Sequence, residues 1–225
     1  MTRLVIAQAL VSCKTLTPPA LGQGRFQKKG NERMPRKLIA TQYISLDGVI
    51  EDPVGMEESG LGDWTGPFKR GPEGDGFKHA ELMSCDALVF GRRTYEGFAA
   101  VWPHVQDEAG FADRINKLPK HIASRTMTTA SWANSMILSE DAVSDIRRLR
   151  AADGGDILVY GSATLLHDLL AQDLVDRVNL MIYPVTLGRG KRLWAEGSAA
   201  RFALIDVRVL GSGILLVRYD RDRAE

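Results

Sequence analysis

From Lys37 onward the chain alternates short apolar runs with segments of helical periodicity. "KLIATQYISLDGVI" (37–50) reads as a strand that runs into a polar turn at Asp47-Gly48. "DALVF" (86–90) and "DILVY" (156–160) are continuous apolar runs of the kind buried on both faces of a sheet. "KHIAS" (120–124) and "SMIL" (135–138) are shorter strand candidates. A helix follows Gly91, and "FKHAELMSC" (77–85) forms another. In "SEDAVSDIRRLRAADGG" (139–155), Ala142, Ile146 and Leu149 recur on one face. Ser139 is placed to cap that helix, Glu140 and Asp141 suit its positive end, and Gly154-Gly155 stop it. A helix after Gly161-Ser162 puts Leu165, Leu166, Leu169 and Leu170 on one side. Three strands, "DRVNLMIYPVTL", "RFALIDVRVL" and "GILLVRYD", close the chain, the last two joined at Gly211-Ser212-Gly213. This order predicts an α/β fold: a mixed, mostly parallel central sheet flanked by helices, with an antiparallel C-terminal hairpin. No internal repeat breaks it up, and a single domain over 34–225 is expected.

Two stretches fall outside the alternation. Residues 51–76 are rich in glycine and proline, too long and irregular for a plain connector; such loops are commonly lids or binding loops. Residues 1–33 hold one short apolar run, Leu4 to Leu10, and then a polar Pro/Gly/Lys-rich stretch. That run is at the lower limit for a signal peptide, and none in the chain reaches the roughly 18 apolar residues of a membrane span. Residues 1–33 are therefore expected to be a disordered or mis-started leader, with Met34 opening the folded unit.

Composition narrows the function. With 29 basic and 28 acidic residues the formal net charge is +1, and no long block of like charge exists. Neither nucleic acid nor a membrane is an expected partner. Cys13 and Cys85 form no CxxC pair, and the four histidines are scattered. Disulfide scaffolding and a metal site are not expected, which suits a reducing, cytoplasmic setting.

Candidate chemistry sits at two strand-to-helix junctions, "VFGRRTYE" and "LVYGSATLL". Helix N-termini at the carboxyl end of a sheet point free N–H groups outward, glycine admits close approach, and arginine adds a forked charge. Each junction read alone is more often a structural turn than a ligand site. No GxGxxG fingerprint follows any strand, so the residues themselves point to two candidate anion sites and no further.

"FGRRTYEGF" resembles the GRxT motif of the dihydrofolate reductase fold, "ILVYGSATLL" its glycine-doublet loop, and "HIASRTM" its intervening serine-bearing strand end. "RKLIATQYISLDGVI" and "MIYPVTLGRGKRLW" are similar to segments of the riboflavin-biosynthesis deaminase/reductase C-terminal (RibD C-terminal) branch. Five such segments occur in the family's order between about Arg36 and Tyr219. The resemblance implies NADPH. Gly91, Arg92 and Thr94 would face its phosphates, and Ser124, Arg125 and Thr126 its adenosine-side phosphate, Arg125 selecting NADPH over NADH. Gly161, Ser162, Ala163, Thr164 and Leu165 would wrap the pyrophosphate, and Ala40 would sit near the nicotinamide. It implies reduction of a phosphoribosylamino-pyrimidine; a dihydrofolate or pterin reductase and a non-catalytic NADPH-binding module are the alternatives. Asp47 and Glu81 are the two carboxylate candidates for the catalytic end, Asp47 being equally readable as a solvated turn. Tyr43, Ser45, Asp47, Trp64 and Phe68 are candidate substrate contacts, with Trp64 and Phe68 also readable as loop anchors. A small-molecule substrate and a homodimer complete the expectation. The His/Cys cluster of the zinc deaminase that can accompany such reductases is absent from these residues; if the riboflavin resemblance holds, deamination is expected of another chain.

Overall fold

The computed structural model describes residues 36–223, so the reading of residues 1–33 lies outside the described residues. Eight strands and five helices follow one another as β1 (Leu38–Ser45), α1 (Gly71–Ser84), β2 (Cys85–Gly91), α2 (Arg92–Ala99), α3 (Phe111–Lys117), β3 (Lys120–Ala123), β4 (Ser135–Ile137), α4 (Ala142–Ala151), β5 (Asp156–Gly161), α5 (Ala163–Ala171), β6 (Arg177–Tyr183), β7 (Arg201–Val209) and β8 (Leu215–Asp222). They build one sheet in the order β4-β3-β2-β5-β1-β6-β8-β7. The pairs from β4 through β6 are parallel, while β8 runs antiparallel to both β6 and β7. The expected mixed sheet with its C-terminal hairpin is what forms.

The all-apolar strands sit centrally because both their faces are covered. Leu38, Ala40, Val89, Ile157 and Val159 join Leu166 and Leu169 of α5 in one core layer. Leu88, Phe90 and Leu158 point to the opposite layer, among Tyr95, Trp102, Ile115 and Trp132. A third cluster gathers Trp64, Met181, Tyr183 and Leu216 under the 51–70 loop. At the far edge, β7 exposes Leu204, Ile205, Val207 and Val209.

Two sequence expectations are corrected. Helix α1 starts at Gly71, six residues before Phe77, despite Gly74 and Gly76. Pro72 suits a first turn, and tertiary contacts override the poor propensity. A Cβ at Gly74 would meet Arg70 Cβ at 2.8 Å and Leu210 at 3.1 Å, so glycine is what lets this turn pack against the C-terminal hairpin. The cap of α4 is Asp141, whose carboxylate accepts from Ser144 N at 3.0 Å; Ser139 lies too far ahead of the first turn, and its N–H donates to Asp145. Strand β1 behaves as expected: it ends at Ser45 and runs into the polar turn, closed by Gly48 N donating to Ser45 O, after which Val49 bridges to Arg192.

Candidate active-site cleft

The carboxyl ends of β1, β2, β3 and β5 open on a cleft of about 890 Å³. That is large for a small-molecule site, for which about 300–1,000 Å³ is usual. Its walls come from four places: the start of α2 with Arg92, Arg93 and Thr94; Ser124, Arg125 and Thr126 after β3; Gly161 to Leu165 at the β5–α5 turn; and Ile50 to Glu57 of the long loop. The three segments expected to share a ligand are thus brought together.

Two of the helix starts differ from the third. Neither α2 nor α5 has a side-chain cap, whereas α4, which also reaches the cleft, is capped by Asp141. The first helical bond of α5 runs from Leu166 N to Ser162 O at 3.0 Å, which leaves the N–H groups of the first turn free to meet an anion. The glycine doublet is Gly161-Ser162 here, joined by a cis peptide. Gly161 takes φ +136°, which favours glycine, while Ser162 at φ −85° is in ordinary extended backbone. Gly91 lies beneath this turn: a Cβ there would meet Ser162 Oγ at 2.5 Å and Ser162 N at 2.9 Å. Its part is to let two strand ends approach, and it does not itself line the cleft.

The charges divide by engagement. Arg92 is turned along its helix to Glu96, 3.0 Å away. Arg125 is exposed at the rim and makes no ion pair among the described residues, and Arg147 of α4 stands on the same rim. Ser124 Oγ accepts from Thr126 N and Met127 N, which shapes the turn that presents Arg125. Thr94 is buried and donates to Glu57 Oε1 at 2.7 Å. Burial pushes the Glu57 carboxyl above its ordinary value, against the pull of the Thr94 hydrogen bond and of Arg93.

At the inner end, Thr41, Tyr43, Lys78, Phe98, Trp102 and Tyr160 line the cleft. Glu81 stands behind them, buried, accepting from Thr41 Oγ1 at 2.9 Å, Lys78 Nζ at 2.5 Å and Asn179 Nδ2 at 2.7 Å. Its two oxygens are engaged inside the protein. Arg70 donates to the Tyr43 hydroxyl and to Asp75. Tyr160 is gripped between Phe90 (stacked, 5.7 Å) and Phe98 (5.2 Å). Burial, then the nearby Glu81 charge, push its phenol well above the ordinary value, so it stays protonated.

The other expected substrate contacts stand elsewhere. Asp47 accepts from Ser45 Oγ at 2.6 Å, Gly188 N at 2.8 Å and Leu187 N at 3.1 Å, tying the β1 turn to the segment after β6. The Ser45 hydroxyl and these N–H groups hold its carboxyl at about 2, which keeps it ionised and makes it a poor proton donor near neutrality. Trp64 donates from Nε1 to Glu51 O and meets Tyr183 edge-on at 5.7 Å; Phe68 packs on the same ring at 5.8 Å. Ala40 is wholly buried in the core. Of the expected substrate set, Tyr43 alone lines the cleft.

The family model of the RibD C-terminal domain matches residues 36–216. The chain belongs to that family. Among relatives, it is 25% identical over 193 residues to the uncharacterized protein YyaP of Bacillus subtilis (strain 168), covering 84% of this chain and 97% of that one. The fold matches a putative riboflavin biosynthesis protein from Shewanella sp. PV-4 with a TM-score of 0.61 at 21% identity, covering 83% and 99% of the two chains. It also matches Schistosoma mansoni dihydrofolate reductase with a TM-score of 0.54 at 14% identity, covering 84% and 100%. The dihydrofolate reductase-like fold is therefore established.

In this RibD C-terminal domain, sequence reasoning passed over Thr41, Lys78 and Tyr160, which line the cleft, and Asn179, which donates to Glu81 behind it. Lys78 and Glu81 are three apart on one helix, the spacing of a pair, and Thr41 and Asn179 are polar interruptions of buried strands. Tyr160 is an oxygen-bearing side chain at the end of an otherwise aliphatic run. Those signals were present in the sequence. Glu57 and Arg147 carried none, since only the folded loop and α4 bring them to the cleft.

Proposed function

We propose that this protein is an NADPH-dependent reductase acting on a phosphoribosylamino-pyrimidine, with hydride delivered to the imine carbon of the opened ribosyl group. The observation that carries this reading is the convergence of two uncapped helix starts and the Arg125 turn on one cleft. The N–H groups at the start of α5 suit a pyrophosphate, and Thr94 with the first turn of α2 would flank it. Arg125 and Arg147 at the rim suit a 2′-phosphate, where a forked cation contributes most. NADPH, when bound, supplies the hydride. The chain positions the two reactants, and the aromatic wall of Phe98, Trp102 and Tyr160 excludes water from the inner end. A pterin reading fits less well, because Glu81, the carboxylate nearest the inner end, already accepts three hydrogen bonds.

The test pairs binding with turnover. NADPH should bind far more tightly than NADH, and NADPH absorbance should fall with the phosphoribosylamino-pyrimidine and not with dihydrofolate. Arg125→Ala should weaken NADPH by roughly 10-fold or more, the value of one charge-assisted bond, and leave NADH nearly unchanged. Equal losses for both nucleotides would sink the 2′-phosphate assignment.

A further inference from the structure

The inner end of the cleft presents hydrogen-bond donors that the cofactor segments do not use. Lys78 is only 7% exposed. Its ammonium carries three N–H bonds. Two are engaged, to Thr41 Oγ1 at 2.8 Å and Glu81 Oε2 at 2.5 Å, and the third has no acceptor among the described residues. The rings of Tyr43 and Tyr160 flank the ammonium, with centroids 5.7 and 5.2 Å away. The Tyr160 hydroxyl is buried and has no partner in the protein, and the same is true of Trp102 Nε1. Buried polar groups are nearly always satisfied, so unpartnered donors gathered on one wall of a cleft point to a ligand that accepts from them.

The nearby carboxylate does not alter this sign. Glu81 accepts from Thr41, Lys78 and Asn179 and is not itself part of the cleft wall. What meets a ligand is thus the cation it holds. A cation and a protonated phenol together favour an oxygen that carries, or develops, negative charge. They disfavour a ring edge made of amino groups, which needs a free carboxylate opposite it.

We propose that Lys78 and Tyr160 together clamp one carbonyl or anionic oxygen of the reducible substrate and so set which ring edge the site accepts. The clamp deepens the reductase reading, on which it rests for the ligand's role as substrate.

The test uses two simple rings as probes, 6-aminouracil, which has carbonyl oxygens, and 2,4-diaminopyrimidine, which has none. Dissociation constants are measured by NMR titration into the millimolar range on the full chain, with NADPH affinity measured separately on each variant. The wild-type protein should prefer the dioxo ring by at least about tenfold, the lower end of the roughly 10- to 100-fold expected of one charge-assisted hydrogen bond. Tyr160→Phe and Lys78→Met should each lose most of that preference while holding NADPH within about twofold. Tyr160→Phe keeps the packed ring and decides the matter even if Lys78→Met, which strands the Glu81 charge, does not fold. Unchanged dioxo affinity in Tyr160→Phe, tighter binding of the diamino ring, or no dioxo binding to the wild-type protein would each overturn the clamp. Failure to bind NADPH would instead overturn the reductase reading, with the ring titrations standing on their own.

Discussion

Glu57 shows how a single residue acquires a role from its surroundings. It comes from the long loop, yet its carboxyl is held by Thr94 at a helix start suited to anions. Asp52 and Glu51 add like charge and Arg93 opposes them, while burial dominates and raises its pKa. A carboxyl raised in the fold adds most to stability below its unfolded value, near 4.5, and that contribution is lost as pH rises through the folded value. Glu57→Gln should therefore raise thermal stability near neutrality. The ionised form also opposes phosphate at the same place. A like-charge pair at solvent screening is worth about 1 kcal/mol, so Glu57→Gln should tighten NADPH roughly fivefold. Wild-type affinity should weaken with rising pH more steeply than that of the variant; superimposable profiles would show that Glu57 does not sense the ligand.

At the scale of elements, the junctions β2–α2 and β5–α5 form one unit. Gly91 and Gly161 are both required by close approach, Gly91 to Ser162 and Gly161 to Thr94, 3.0 Å from where a Cβ would lie. Gly91→Ala would drive a methyl into the Ser162 backbone, an overpacking that costs about 1–3 kcal/mol. We expect a drop in urea midpoint of that size together with loss of NADPH affinity, because the turn that presents the α5 N–H groups must shift. Loss of stability with unaltered binding would show that the turn's position is immaterial. These junctions were legible as glycine-to-helix turns, since the apolar runs "ALVF" and "ILVY" end so sharply. The early start of α1 was not legible, because Gly74 and Gly76 lower its propensity and only the hairpin packed against Arg70 and Gly74 restores it. The anchoring position of Trp64 and Phe68 around Tyr183 was likewise open until the loop was folded.

Across the whole molecule, ligand binding and stability are linked, because the cleft draws on strands from the middle of the sheet and on the loop that covers them. A ligand at 100 times its dissociation constant adds about 2.7 kcal/mol. For a chain of this size that corresponds to a rise in Tm of roughly 5–10 °C. NADPH should produce this shift and NADH at equal concentration a much smaller one, as read by calorimetry; no shift with either would argue against a nucleotide in the cleft.

The order of apolar runs and helical segments determined the α/β architecture, because strands buried on both faces cannot hide their composition and glycine marks where they stop. The five ordered motifs pointed to the family and to three cofactor-facing segments. Tertiary structure alone decided which polar groups share the inner end of the cleft. Thr41, Tyr160 and Asn179 come from three strands, and Lys78 and Glu81 from one helix, the four elements being far apart in the chain. Their meeting depends on strand order and on a helix crossing, and no local periodicity encodes it. The same holds for Asp47, a sequence candidate for chemistry that the fold ties to the Leu187-Gly188 backbone. Those two backbone partners lie 140 and 141 residues downstream, beyond the reach of any pattern read along the chain.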